Sequence, residues 1–278
     1  MRGLLAAGLL LGLVGCQTLP PVRDVGWSVR VLDVGEGQAV LVQAGERGLL
    51  IDTGHAGQAA RLVGRLRALG VRRLDHLVLT HLHPDHASGY FRVMEAYPDA
   101  AVHDNAQLLP ALPEEQMVRW VATALRAHPR YAPLKARDLL AWAGGRIEIL
   151  WPHRADGPDW NANSLVLLLR RGPFVGLVMG DAGQGVEAAL LKEGTLPRGV
   201  DLLVAGHHGA ADTARGDFLA HVKPRVAVIS VDAGNLRGYP DPDVVRRLIA
   251  VSGRLYRTDR DGEVCVSFSA SRDLCQAR

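Results

Sequence analysis

An α/β layered fold with its sheets inside is what the sequence predicts, on three observations. Short apolar runs recur along the chain, divided by Gly-rich turns and by longer stretches with helical spacing. Strand groups alternate with helices through both halves of the chain, the pattern of sheets covered by helices. Strands in both halves end in His or Asp, which gathers polar side chains along one edge of the sheets. At 278 residues and 48% apolar content, the chain can fill one large core or two small ones.

The first residues stand apart from the fold. Met1-Arg2 precedes an apolar run from Gly3 to Val14, too short to span a bilayer but suited to an export signal. It ends in Leu13-Val14-Gly15-Cys16, which resembles a bacterial lipobox, so residues 1–16 are expected to be a lipoprotein signal with Cys16 lipidated. Several acyl chains on one Cys hold a protein at a membrane surface where one chain binds only marginally. Gln17 after the Cys resembles lipoproteins sent to the outer membrane, so an outer-membrane or periplasmic location is expected if the cell has one. Residues 17–26, with Pro20-Pro21, read as a tether, and the domain is expected over 27–278. Beyond the leader no apolar run is long enough to cross a bilayer.

A meander of strands opens the domain at 27–32, 38–43 and 48–51, the last leading into Asp52-Thr53-Gly54. Residues 58–69 carry amphipathic helical spacing and close on Gly70. A strand at 76–80, a helix at 88–97, a strand at 101–103 and a helix at 114–127 complete the first half. The second half repeats the plan. Strands at 146–151, 164–170 and 174–179 end at Gly180-Asp181, and a helix follows at 185–193. A strand at 200–205 runs into Gly206-His207-His208-Gly209. Then come a helix at 218–222, a strand at 226–231, a helix at 242–251, and closing strands at 254–257 and 264–268. Cys265 and Cys275 could bridge in an oxidising compartment.

The richest stretch is Thr80-His81-Leu82-His83-Pro84-Asp85-His86, which follows the apolar Leu77-Val78-Leu79. Imidazoles and a carboxylate suit zinc or a similar divalent ion. Alternate residues of an extended chain point the same way, so His81 and His83 can share one ion. Pro84 bends the chain, which leaves Asp85 and His86 to face a second. The net charge of +3, without a long basic block, neither favours nor excludes a nucleic-acid partner. The histidines at 55, 76, 103, 128 and 221 read as structural, with His55 nearest the same sheet edge.

These motifs together resemble the metallo-β-lactamase-fold hydrolases. Leu32-Asp33-Val34-Gly35-Glu36-Gly37, Asn161-Ala162-Asn163-Ser164-Leu165-Val166, Gly206-His207-His208-Gly209, Gly234-Asn235 with Gly238-Tyr239-Pro240, and Thr258-Asp259-Arg260-Asp261-Gly262 narrow the resemblance. They look like the hydrolase domain of the ComEC family of DNA-uptake channels. The resemblance implies a four-layer αββα sandwich with a groove for two divalent ions, zinc or manganese. It implies that Asp181 bridges the pair, that His81 and His83 hold one ion, and that Asp85, His86 and His207 hold the other. His208 could exchange with His207. His153, or an oxygen of Asn161 or Asn163, is expected to complete the first ion. Asp52 is expected to orient a ligand ring, and Ser164 to lie close by. Asp85, Asp181 and His208 are the residues expected to carry the reaction.

Three departures from the ComEC-like pattern stand at the groove: Gln38 for Asp, Ala210 for Ser and Tyr239 for His. The expected activity is hydrolysis of a phosphodiester, with DNA or another phosphodiester as the substrate, by water that two ions ionise near neutral pH. Two alternatives are β-lactam or other ester and amide hydrolysis on the same ions, and a metal-stabilised binding lipoprotein without turnover.

Overall fold

In the computed structural model, which describes residues 26–107 and 116–267, two sheets lie face to face with helices outside each. The first half supplies β1 (Ser28–Val31), β2 (Val40–Ala44), β3 (Arg47–Ile51), α1 (Ala59–Ala68) and β4 (Arg73–Val78). A single turn, α2 (Pro84–Ala87), α3 (Tyr90–Ala96), β5 (Ala101–His103) and α4 (Gln116–Arg126) follow. The second half supplies β6 (Leu139–Trp142), β7 (Gly145–Trp151), β8 (Val166–Arg171), β9 (Phe174–Val178), α5 (Gln184–Glu193) and β10 (Leu202–Val204). It ends with α6 (Gly216–Val222), β11 (Val226–Ile229), α7 (Pro242–Val251), β12 (Arg254–Arg257), a turn α8 (Thr258–Asp261) and β13 (Val264–Ser267).

The sheets run β13-β1-β2-β3-β4-β5 and β12-β11-β10-β9-β8-β7-β6. Each joins antiparallel strands to parallel ones: β2–β3 is antiparallel and β3–β4 parallel, β8–β9 antiparallel and β9–β10 parallel. The expected repeat of plan is therefore present, with one exchange. The last strand, β13, crosses back to pair with β1, Val29 opposite Val266.

Three apolar cores define four layers. Leu62, Leu66, Val93, Val121 and Leu125 pack the first-half helices on Leu50 and Leu77. Val29, Val42, Ile51, Ile147, Leu167 and Val178 fill the space between the sheets. Leu190, Phe218, Leu219, Val244 and Leu248 pack the second-half helices on Leu168, Leu203 and Ile229. The strands β8 and β10 are buried on both faces, which is why they read as continuous apolar runs. On α1 the 3.6-residue period turns Leu62, Val63 and Leu66 inward. At α7, Asp241 accepts from the Asp243 and Val244 amides and Pro242 takes the first turn; such a cap stabilises a helix by about 1 kcal/mol.

The strand β6 is an addition to the sequence reading. It pairs with β7 through Ala143 and Gly144, both with positive φ (44° and 76°), as a type I′ turn demands. Ala-Gly is a weak signal for that turn, because Ala tolerates the left-handed region poorly. Residues 1–25, with Cys16, and 268–278, with Cys275, lie outside the described residues, as do 114 and 115 of the helix expected at 114–127. Cys265 is buried on β13 and disulfide-bonded. Among the described residues no helix is long and apolar enough to cross a membrane.

One buried acid fixes the chain leading into α6. Glu187 on α5 accepts from the Ala214 and Arg215 amides at 2.7 and 2.8 Å. Burial pushes its carboxyl up to about 7, against those two amides and Arg215, which lower it. Its folded value stands above its unfolded one, so it contributes stability below pH 4.5 that is lost as the pH rises through about 7. That contribution is about 3 kcal/mol. Glu187→Gln is expected to flatten this stretch of the stability–pH curve, read by urea denaturation from pH 4 to 8. An unchanged curve would refute the assignment.

Candidate metal centre

Strand ends from both sheets meet at one edge. After β4, Leu79-Thr80 leads into His81 and then α2; after β9, Met179-Gly180 leads into Asp181; after β10 comes the 3₁₀ turn Gly206–Gly209. Hydrogen bonds tie these strand ends together, the first of them between the two sheets. The Leu165 amide donates to the Thr80 carbonyl, the Asp181 amide to Ser164 Oγ, and the His207 amide to the Gly180 carbonyl. Glycines permit the approach: a Cβ on Gly37 would stand 1.7 Å from the Asp85 carbonyl oxygen, and one on Gly206 2.3 Å from that of Ala182.

The side chains form two groups of three, His81, His83 and Asp181, and Asp85, His86 and His208, each with ligand atoms within 4.8 Å of one another. Asp181 serves both. Its Oδ2 lies 3.7 Å from His81 Nε2, while its Oδ1 lies 3.0 Å from His86 Nε2 and 3.6 Å from His208 Nε2. His208 Nε2 is also 3.2 Å from Asp85 Oδ2, and His81 Nε2 is 3.1 Å from His83 Nδ1. All but His83 are buried.

The rings are held from behind. Asp52 Oδ2 takes His86 Nδ1 at 2.8 Å, the Ser230 carbonyl takes His208 Nδ1 at 2.9 Å, and Thr80 Oγ1 lies 3.1 Å from His81 Nδ1. Each Nδ1 thus has an oxygen partner outside the centre, which leaves Nε2 as the nitrogen a metal ion would take. Asp52 is fully buried in the left-handed region (φ 61°) and also accepts from the Thr80 amide, Thr80 Oγ1 and Gln38 Nε2. Gln38, one of the three departures, therefore steadies Asp52.

Charge points the same way. Burial penalises the ionised Asp181, but His86, His208 and His81 outweigh it and hold the carboxyl well below its usual range. Burial likewise opposes ionised Asp85, and His208 and His86 reverse it. Burial pushes His81 well down, helped by His86. His86 is pushed down by burial but lifted far more by Asp181 and Asp52. Asp85 Oδ2 and Asp181 Oδ1 are buried with no donor aligned on them. A pocket of inward-facing ring nitrogens and orphaned carboxylate oxygens fits divalent cations, and the nitrogen and oxygen donors suit zinc or a similar ion.

Two expected ligands fall elsewhere. His153 is half exposed, with Nε2 3.1 Å from Glu193 on α5, because the chain after β7 turns toward the outer helices. His207 yields its place to His208. The turn carries both residues at positive φ (46° and 52°), which sends His208 inward and His207 toward the groove. There its Nε2 meets Asn161 Nδ2 at 3.2 Å and Tyr239 Oη at 3.4 Å. Asn163 is also turned away: its Nδ2 donates to the Gly157 carbonyl. Ser164 Oγ lies 3.3 Å from His81 Nδ1. His55 caps the short turn before α1 and is exposed. Sequence reasoning overlooked Thr80, Ser230 and Trp160, which stacks on His83 at 5.2 Å. Thr80 stands beside the first ligand and could have been found; Ser230 acts through a main-chain carbonyl, which no residue type announces.

Residues 32–233 match the family model described as the metallo-beta-lactamase superfamily. The chain is 32% identical over 260 residues to "Recombination protein 2" of Haemophilus influenzae, across 91% of this chain and 30% of that protein. It is 32% identical over 239 residues to "Competence protein ComA" of Neisseria gonorrhoeae, across 84% of this chain and 31% of that one. The chain thus spans about a third of the length of these relatives. Among solved structures, the metallo-beta-lactamase fold protein YhfI from Bacillus subtilis superposes with a TM-score of 0.58 at 12% identity, over 87% of this chain and all of that one. Family model and four-layer fold agree, and the chain belongs to the metallo-beta-lactamase superfamily of metal-dependent hydrolases.

Proposed function

We propose that the chain hydrolyses phosphodiesters of a nucleic-acid strand with two divalent cations, zinc or manganese, while anchored by lipid at Cys16 outside the cytoplasm. The observation that carries the first part is the division of Asp181 between the two groups, one oxygen to each. Bound there, two such cations would supply Lewis acidity and lower the pKa of a water to about 7. His81 and His83 would hold one cation, and Asp85, His86 and His208 the other, with Asp181 common to both. Asp52, Thr80 and the Ser230 carbonyl keep Nε2 of those rings aimed inward, so the side chains need little movement on binding.

A diester is favoured over a β-lactam by the relatives, whose names speak of recombination and competence. Export and anchoring rest on Leu13-Val14-Gly15-Cys16 after a short apolar run.

One fractionation tests both parts. In cells expressing the full chain, cleavage of single-stranded DNA and of bis-p-nitrophenyl phosphate is expected in washed membranes, and to vanish with EDTA and return with zinc or manganese. Cys16→Ala is expected to move that activity to the soluble fraction. Diester turnover that survives EDTA, or nitrocefin turnover without diester turnover, would overturn the activity. Wild-type activity in the soluble fraction would overturn the anchor.

A further inference from the structure

The loop between β11 and α7 is built rigidly and ends in two groups that the metal centre does not use. Asn235 organises it: Nδ2 donates to the Asp232 and Tyr239 carbonyls at 2.6 and 2.8 Å, and Oδ1 accepts from the Tyr239 amide at 2.9 Å. The Asp241 amide donates to the Gly209 carbonyl at 2.8 Å, which ties the loop to the turn that carries His208. Arg237 projects from it. Its Nη1 stands 3.8 Å from Asp85 Oδ2 and its Nη2 3.5 Å from Glu36 Oε1, contacts too long for good hydrogen bonds, and half of the side chain is exposed. A planar guanidinium held beside a hydrolytic centre by such loose pairs keeps most of its five donors for a ligand. The Tyr239 hydroxyl and the Asn161 amide converge on His207 beside it, a second set of polar groups facing the groove.

We propose that residues 232–239 form the clamp for the substrate's phosphate, Arg237 taking a non-bridging oxygen and Tyr239, with Asn161, taking another. The Arg supplies the charge, since its bonds to phosphate are charge-assisted and strong. The Tyr hydroxyl supplies a neutral donor where the ComEC-like pattern has an imidazole. The clamp sets which anion is bound and acts as a positioning device rather than in bond cleavage. It rests on the phosphodiester reading above.

The test compares binding with turnover in zinc-loaded protein. The binding probes are a thymidine decamer with phosphorothioate linkages, which keep the charge and resist cleavage, and the matched methylphosphonate decamer, which lacks the charge. Arg237→Gln is expected to weaken the charged decamer about tenfold and to leave the methylphosphonate unchanged. On a cleavable decamer KM is expected to rise about tenfold while kcat stays within twofold. Tyr239→Phe is expected to raise KM a few-fold with unchanged zinc content. If both variants bind and turn over like wild type, the clamp is wrong while the phosphodiester reading stands. If wild type binds the charged decamer through Arg237 yet cleaves no diester, the clamp stands and the activity falls. If wild type binds neither decamer, the clamp falls.

Discussion

Asp181→Asn is expected to lower turnover by about three orders of magnitude and bound metal from two equivalents to one or fewer. The volume of the side chain hardly changes, so packing is not what is lost. Asp181 presents a different oxygen to each ligand group, and an amide offers one neutral oxygen and one N–H. Were two cations to share Asp181, the loss of its charge would remove several kcal/mol of stabilisation, and about 4 kcal/mol corresponds to the thousandfold fall. Stability supplies an independent reading. Without cations His86, His208 and His81 hold the buried Asp181 ionised, so its charge contributes to folding even in EDTA. EDTA is expected to lower the melting temperature of wild type, because a ligand at a thousand times its Kd adds about 4 kcal/mol. The variant in EDTA is expected to melt below wild type in EDTA, because the neutral amide gives up its pairing with His86, and to gain less from added zinc. Metal analysis by mass spectrometry and thermal denaturation decide it. Two equivalents of metal and normal turnover in the variant would remove the foundation of the two-cation reading.

How legible this centre was depends on where each residue's information resides. The cluster from His81 to His86 was plain because four metal-ligating residues at that spacing have no packing use, and the strand before it is marked by its apolar run. Asp181 stood out only through the resemblance, since a single Asp after a strand is common. The choice between His207 and His208 could not be read, because it depends on backbone angles inside a four-residue turn. His153 misled for a related reason: the residues after β7 leave the sheet edge, and only the fold shows that Glu193 takes the ring. The layers themselves were visible in the periodicity, whereas the return of β13 to β1 was not, because pairing between chain ends leaves no local pattern. β6 escaped through its turn chemistry, a left-handed Ala where Asn would have been a signal.

Asp52→Ala is expected to destabilise the protein by about 4 kcal/mol and to weaken metal binding about 10–100-fold. Four donors point at this carboxylate: the Thr80 amide, Thr80 Oγ1, Gln38 Nε2 and His86 Nδ1, at 2.7 to 2.9 Å. Each buried donor left without an acceptor costs about 1–3 kcal/mol, and the four are too close to add fully. The backbone adds to this, since φ is 61° and a left-handed Ala costs about 1 kcal/mol more. In a domain of this size the sum lowers the melting temperature by about 10 °C. Asp52→Asn separates the two contributions. Asn accepts the left-handed region and keeps one oxygen, so its stability loss is expected to be about half. Its amide nitrogen, however, faces donors instead of accepting from them, and His86 is no longer held with its Nε2 inward. Metal affinity is therefore expected to fall in Asn nearly as far as in Ala, although the fold survives better. Urea denaturation and competition with a chromogenic chelator give the two quantities separately. If affinity recovers in step with stability from Ala to Asn, Asp52 serves only the fold, and its part in aiming His86 is refuted.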